Sequence, residues 1–125
     1  MKKIKDIFIE GPINPIFVAE SITKHTVKTT IGGHSIFLGQ IREDMIDKKK
    51  VQAIHFTAYK EMALEKAHEI REEIIAKYGL TCAHIYHSLG EIKVGEICLF
   101  VFTSAAHRKE AINACDEMVE RIKKE

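Results

Sequence analysis

The spacing of apolar residues along the chain predicts five strands. Short stretches in which apolar and polar residues alternate, or in which nearly all residues are apolar, are typical of strands. They occur at Ile4–Ile9, Ser35–Arg42, Val51–Tyr59, Thr81–Leu89 and Glu96–Thr103. The last stretch is almost entirely apolar, which predicts a central place in a sheet.

Three other stretches carry apolar residues every three or four positions, the period of an amphipathic helix. Asn14 as a cap and Pro15 at the first helical position predict the start of a short first helix. The second is predicted over Lys60–Tyr78, with Gly79 as its C-terminal cap. The third is predicted from about Ala105 to the end of the chain.

The connections between these elements are mostly short. We interpret Lys24–Gly33 as a polar loop ending in a flexible Gly32-Gly33 turn, Glu43–Lys50 as a charged, mobile segment and Gly90–Gly95 as a turn. Because strands outnumber helices and most connections are short, the pattern favours an α+β fold. Helices packed on a mixed, mainly antiparallel sheet are therefore a better prediction than a doubly wound fold.

Composition adds limits rather than a function. The 125 residues are enough for one domain, residues 1–125, and a net charge of +1 gives no broad field that would attract nucleic acid or an anionic membrane. No apolar stretch approaches the roughly 18 residues of a membrane span, and the N-terminus is unlike a signal peptide. We therefore expect a cytoplasmic protein.

Cysteines and histidines give no metal-binding pattern in the sequence. Cys82, Cys98 and Cys115 are odd in number and widely spaced inside apolar segments, which is typical of reduced core thiols. His84 and His87 are three apart on a predicted strand and so point to opposite faces. His25, His55 and His68 have nothing nearby with which to pair, and we expect them to be surface or half-buried groups. We expect no metal.

Two predicted element ends carry cationic side chains. His107 and Arg108 fall in the first turn of the last helix, where unpaired N–H groups and the helix dipole favour an anion. Arg42 ends another predicted strand. The residues alone leave alternatives open: Arg42 as a surface charge, His107 as a helix cap, and Arg108 as an exposed first-turn residue. They are also compatible with a non-enzymatic dimeric α+β domain that binds an anionic metabolite. A nucleic-acid-binding module ranks third.

Four motifs in one order resemble a known family. They are Gly39–Arg42, Phe56–Ala63, His87–Glu96 and Thr103–Arg108. This order resembles the large, catalytic subunit of molybdopterin synthase. The resemblance implies an α/β-hammerhead fold and a sulfurtransferase with no cofactor of its own.

The resemblance also implies the substrate and partners of the reaction. Sulfur would come from the C-terminal thiocarboxylate of a small ubiquitin-like carrier subunit. The acceptor would be cyclic pyranopterin monophosphate, which becomes the dithiolene of molybdopterin. A homodimer of this chain would form the centre of a heterotetramer with two carriers.

The family's site residues carry over position by position. Arg42 and Lys123 match catalytic positions, and substrate-binding positions match Phe37, Gln40, Ile41, Arg42, His107, Arg108 and Lys123. The family pattern continues past this helix with a proline-aromatic-tryptophan-lysine segment that bears a second functional lysine. Lys124 is a poor substitute for that lysine, because it points about 100° away from Lys123 around the helix.

The predicted last helix separates two of these residues widely. Arg108 and Lys123 are fifteen residues apart, roughly 22 Å at about 1.5 Å per residue. One small pterin cannot easily bridge that distance. We therefore hypothesise that each site takes His107 and Arg108 from one copy of the chain and Arg42 and Lys123 from the other.

Overall fold

A computed structural model describes residues 6–124. Its helices and strands, numbered in chain order, are β1 (Phe8–Glu10), α1 (Pro15–His25), β2 (Gly33–Gln40), β3 (Met45–Ile46), β4 (Lys49–Lys50), β5 (Ala53–Phe56), α2 (Lys60–Tyr78), β6 (Cys82–Lys93), β7 (Ile97–Ala105) and α3 (Arg108–Lys124). The first two residues of the predicted strand Ile4–Ile9 lie outside the described part of the chain.

The main sheet is mixed and mainly antiparallel, as predicted. Its strands lie in the order β1-β6-β7-β2, and β5 pairs with the second half of β6. Only the pairing of β1 with β6 is parallel among the described strands. Strand β7 lies between β6 and β2, and Phe100, Val101 and Phe102 are fully buried there. The prediction of a central apolar strand is confirmed.

Each face of the sheet is covered by helices. Helices α2 and α3 cover one face, where Ile70, Ile74 and Met118 pack against alternate residues of β6 and β7. Helix α1 covers the other face, where Val18 packs against Phe100 and Phe102. Successive side chains of β7 point to opposite faces of the sheet. Val101 therefore packs under α2 and α3, whereas Phe100 and Phe102 pack under α1.

Helix ends follow the predicted capping signals. The side chain of Asn14 accepts a hydrogen bond of 2.9 Å from the Ile16 N–H, and Pro15 opens α1. Helix α2 has the predicted bounds, and Gly79 closes it with a left-handed φ of 63°. Helix α3 begins at Arg108, later than predicted, because Ala105 still pairs with β2.

Two predicted connections were wrong. Strand β6 continues through the expected turn at 90–95 to Lys93, because Gly90, with φ of 90°, lets the strand change direction and pair with β5. The segment interpreted as mobile forms the β3–β4 hairpin. Its two turn residues, Asp47 and Lys48, both have positive φ, the geometry of a tight type I′ turn.

No helix within residues 6–124 has the length and apolar character that a membrane span requires.

Candidate active site

One cluster of predicted site residues lies where β2 meets the end of α3. Phe37 lies on β2 against the core beneath α2 and α3, and the Lys123 Nζ is 5.6 Å from the centre of its ring. This distance allows a cation–π contact. The resemblance named Phe37 and Lys123 separately, and the fold brings them together.

A thiol that the sequence did not single out lies in the same cluster. The half-buried Cys98 Sγ donates to the Gly39 carbonyl oxygen at 3.5 Å. Burial raises the pKa of the Cys98 thiol, and the positive charge of Lys123 partly opposes that shift. Cys98 is therefore held as a neutral thiol beside the lysine. No sequence signal indicated this, because Cys98 and Lys123 are distant in the chain.

The segment after β2 presents Arg42 to solvent. The register between β2 and β7 shifts at Gly39/Gln40, so Gln40 ends the strand in an exposed position. Ile41 is only 4% exposed, and its N–H and C=O pair with the backbone of Glu96 and Gly95. Ile41 thus anchors the segment, and its side chain does not face a ligand site in this chain.

Arg42 follows this anchor, and its guanidinium extends into solvent, where it pairs with Asp44. Its side chain is 84% exposed, and the Nε donates to the Asp44 Oδ1 at 2.7 Å. An exposed ion pair of this kind contributes little stability, and a ligand phosphate can replace the carboxylate at small cost.

A second cluster lies at the start of α3. His107 immediately precedes the helix and Arg108 is its first residue, and both are exposed. They border a depression of about 430 Å³ together with Gly32, Ala106, Lys109 and Glu110. Unpaired backbone N–H groups of the first turn add to the positive charge of the two side chains.

Gly32 borders this depression and Gly33 begins β2, so the two glycines pack on the start of α3 and do more than form a turn. A Cβ placed on Gly32 would lie 2.0 Å from the Ala106 carbonyl oxygen, and one on Gly33 would lie 3.1 Å from the Arg108 Cα. The Gly32 N–H donates to the Ala105 carbonyl oxygen at 2.9 Å. Two consecutive glycines let the loop pack directly on the backbone that carries His107 and Arg108.

The two clusters lie at opposite ends of the same pair of elements. Gly33, at the start of β2, contacts the start of α3, whereas Phe37, farther along the strand, contacts Lys123 at the helix end. Helix α3 separates Arg108 from Lys123 by about 22 Å at 1.5 Å per residue. One chain therefore holds two cationic half-sites, and the fold does not bring them together within that chain.

An apolar cavity of about 260 Å³ opens between α2, β1 and β6. Its lining includes Phe8, Phe56, Ala63 and His87, and it extends to Ile122 of α3. Ile122 belongs to the last turn of α3, which also carries Lys123.

The fold also corrects the interpretation of His25. Its Nε2 lies 2.8 Å from the Nε2 of His84, so His25 does have a partner. The two residues are 59 positions apart, and only the packing of α1 on the sheet brings them together.

Fold and surface charge together define an α+β protein with two separated cationic clusters, one near each end of α3. A family model described as MoaE protein matches residues 13–125. The molybdopterin synthase catalytic subunit of Pyrococcus abyssi is 37% identical over 124 residues, which cover 99% of this chain and 76% of that protein. The Bacillus subtilis subunit of the same name is 34% identical over 112 residues, 90% of this chain and 68% of that protein.

Solved structures agree with this match. The crystal structure of molybdopterin synthase from Staphylococcus aureus has a TM-score of 0.84 at 28% identity and covers 98% of this chain and 87% of that chain. The chain belongs to the MoaE family, that of the molybdopterin synthase catalytic subunits. It is thus an enzyme of molybdenum cofactor biosynthesis, and the predicted α+β fold is confirmed.

Proposed function

We propose that this chain transfers sulfur from a thiocarboxylated carrier tail to cyclic pyranopterin monophosphate. The match to the Pyrococcus abyssi catalytic subunit over nearly the whole chain carries the proposal. In each transfer the bond between sulfur and the tail's acyl carbon breaks, and a carbon–sulfur bond forms at a pterin side-chain carbon that gives up a carbon–oxygen bond. The displaced oxygen leaves as water at one carbon and stays on the phosphate, as the cyclic ester opens, at the other. The acyl carbon takes an oxygen from water, so the carrier leaves as a carboxylate and no net oxidation occurs.

Each cationic group has a role that its position supports. Arg42 and the pair His107 and Arg108 bind the phosphate and the pterin oxygens, because guanidinium groups pair with such oxygens in two-point geometry. Lys123 stabilises the charge that develops on the acyl carbon's oxygen, or donates a proton there. Phe37 holds the lysine's ammonium over its ring. Gln40, exposed at the strand end, is placed to hydrogen-bond the pterin.

The distance between the two cationic clusters supports a site shared between two copies of the chain. A pterin with its cyclic phosphate is much shorter than the roughly 22 Å from Arg108 to Lys123. In a two-fold dimer, the start of α3 in one copy can meet the end of α3 in the other. Such a dimer holds two composite sites, and one carrier for each site makes a heterotetramer.

The carrier reaches the site with an extended tail. The apolar cavity that extends to Ile122 fits a thin peptide end on its way to Lys123. In support, the Helicobacter pylori structure that shares this fold, with a TM-score of 0.76, is a complex of subunits 1 and 2 of molybdopterin-converting factor.

The test is a conversion assay with thiocarboxylated carrier and cyclic pyranopterin monophosphate. Lys123→Ala is expected to lower the rate of dithiolene formation about 100-fold or more, the usual cost of losing a group that stabilises developing charge. Lys124→Ala is the matched control, since its side chain is equally exposed but points elsewhere around the helix. Equal rates for the two variants would contradict the proposed role of Lys123.

The same assay separates this proposal from the non-enzymatic alternative. A regulatory domain would bind the cyclic phosphate without any carrier and form no dithiolene. Two results together would favour that alternative. The wild-type chain would bind the pterin, and more tightly than Arg42→Ala or Arg108→Ala, but it would not convert the pterin.

A further inference from the structure

Three potential metal ligands meet on the face of the sheet that α1 covers. His25 is the last residue of α1, and Cys82 and His84 are at the start of β6. Their ligand atoms all lie within 4.8 Å of one another. Cys82 and His84 are two positions apart on one strand and therefore share a face. This cluster is on the opposite face of the sheet from α3, which carries Arg108 and Lys123.

The hydrogen bonds of His25 hold its ring ready for a metal. Its Nδ1 lies 2.7 Å from the Ser21 carbonyl oxygen, which can only accept, so the Nδ1 carries the proton. The Nε2 of His25 therefore accepts from the Nε2–H of His84, 2.8 Å away, so His84 must carry its proton on Nδ1 instead when its Nε2 binds a metal. A backbone carbonyl that fixes the tautomer in this way is a usual support of metal-bound histidine.

We propose that His25, Cys82 and His84 bind one Zn²⁺ ion, with the fourth position left to water. One thiolate and two imidazoles are a donor set that zinc prefers. Zinc bonds of about 2.0 to 2.3 Å place tetrahedral ligand atoms roughly 3.3 to 3.7 Å apart. The Nε2 atoms of His25 and His84, now 2.8 Å apart, need to separate by about 0.5 Å. The largest distance between two of the three ligand atoms, at most 4.8 Å, needs to shorten by about 1 Å. Side-chain rotation supplies shifts of this size.

Lys28 lies beside Cys82 in this cluster. Its Nζ lies 2.7 Å from the Cys82 Sγ. The ammonium repels a second cation, so it must move away when the metal binds and the thiol gives up its proton. Lys28 is exposed and its side chain is long, so it can turn into solvent. Removing its charge should therefore strengthen metal binding.

The bound ion would tie the end of α1 to the sheet. His25 comes from the helix and the other two ligands come from β6, next to β7. An ion that binds the folded chain but not the unfolded one raises the melting temperature. The inference is independent of sulfur transfer, and its test needs no activity.

The test is a Co²⁺ titration of the reduced, metal-stripped chain. We expect one ion per chain, the visible bands of tetrahedral cobalt and a near-ultraviolet thiolate-to-cobalt band. Cys82→Ser should lose the thiolate band, and His84→Gln should weaken binding tenfold or more. Cys98→Ser and His55→Gln are matched controls outside the cluster and should bind like the wild type. A thiolate band that survives in Cys82→Ser, or no band in the wild type, would overturn the proposal.

A variant of an exposed residue is also needed, because a substitution of the buried Cys82 can disturb the fold and weaken metal binding indirectly. Lys28→Gln alters an exposed residue and should bind Co²⁺ and Zn²⁺ about fivefold more tightly. A unit charge held about 4 Å from a divalent ion would weaken binding about thirtyfold in water, and turning the Lys28 side chain into solvent recovers only part of that loss. Zn²⁺ should raise the melting temperature of the wild type and of Lys28→Gln but not that of His25→Gln. Unchanged or weaker binding by Lys28→Gln would contradict the proposed position of the ion.

Discussion

Gly32→Ala should destabilise the fold and the anion site together. The added Cβ would lie 2.0 Å from the Ala106 carbonyl oxygen, whereas ordinary contacts of a Cβ stay beyond 3.0 Å. The atoms that the Cβ would meet belong to the Ala106 backbone, so no side chain can turn away. The backbones at Gly32 and Ala106 must therefore separate by about 1 Å. The opening stretches the hydrogen bond from the Gly32 N–H to Ala105 and displaces the backbone that carries His107.

The expected cost is about 2 to 4 kcal/mol. Forcing an extra methyl group into a packed site costs about 1 to 3 kcal/mol, and the weakened hydrogen bond adds about 1 kcal/mol. For 125 residues the unfolding entropy is about 0.26 kcal/mol per kelvin. The melting temperature should therefore fall by about 8 to 15 °C.

Urea denaturation and thermal melting measure this effect, and binding of cyclic pyranopterin monophosphate measures its consequence for the site. Gly33→Ala is the matched control, because its Cβ would be 3.1 Å from the Arg108 Cα and needs a shift of only a few tenths of an ångström. Gly33→Ala should cost clearly less. A Gly32→Ala chain within about 0.5 kcal/mol of the wild type would refute the reasoning that this glycine is needed for close packing.

Three further predictions concern other parts of the fold. Hydrogen bonds from Lys77 and Tyr78 lower the pKa of Glu117. The ionised carboxylate therefore stabilises the fold fully above about pH 4.5, and this stabilisation is lost as the pH falls through the folded-state pKa. Glu117→Gln should flatten that acid loss in urea denaturation curves. Asn14→Ala should cost about 1 kcal/mol in the same assay by removing the cap of α1. Ala63→Phe should fill the apolar cavity and raise the KM for carrier without changing pterin affinity.

Each of these has a matched control that should behave like the wild type. The control for Glu117→Gln is Glu120→Gln, which changes an exposed carboxylate on the same helix, α3. The control for Asn14→Ala is Asn113→Ala, which changes an exposed asparagine in the interior of α3 rather than at a helix cap. Met62→Phe adds a ring beside the cavity but outside its lining, at a side chain that is 72% exposed. A control that shifts as much as its partner would remove the structural explanation in question.

Local signals predicted most of the fold because they depend on neighbours in sequence. The cap at Asn14, the apolar face of Lys60–Tyr78 and the apolar run of β7 each act over a few residues. The failures came where a glycine's conformation or a tight turn decided the path. Gly90 looked like a turn but lets β6 bend and continue, and the charged 43–50 segment forms a hairpin through Asp47 and Lys48.

The site was less accessible to sequence reasoning, because its residues meet only through packing. The family resemblance named Phe37 and Lys123, but their contact depends on α3 lying beside β2. The thiol of Cys98 and the pairing of His25 with His84 carried no pattern that spacing could detect. Contacts between residues 59 positions apart follow from the fold and from no local periodicity.

The central claim is that each active site takes its two cationic halves from different copies of the chain. Co-expression of Arg108→Ala and Lys123→Ala chains with different tags tests it directly through conversion of cyclic pyranopterin monophosphate. Each heterodimer keeps one intact composite site of two, and random pairing makes half of the dimers mixed. We expect about a quarter of wild-type activity from the mixture, concentrated in the doubly tagged fraction. Activity in that fraction no higher than in either variant alone would contradict the claim.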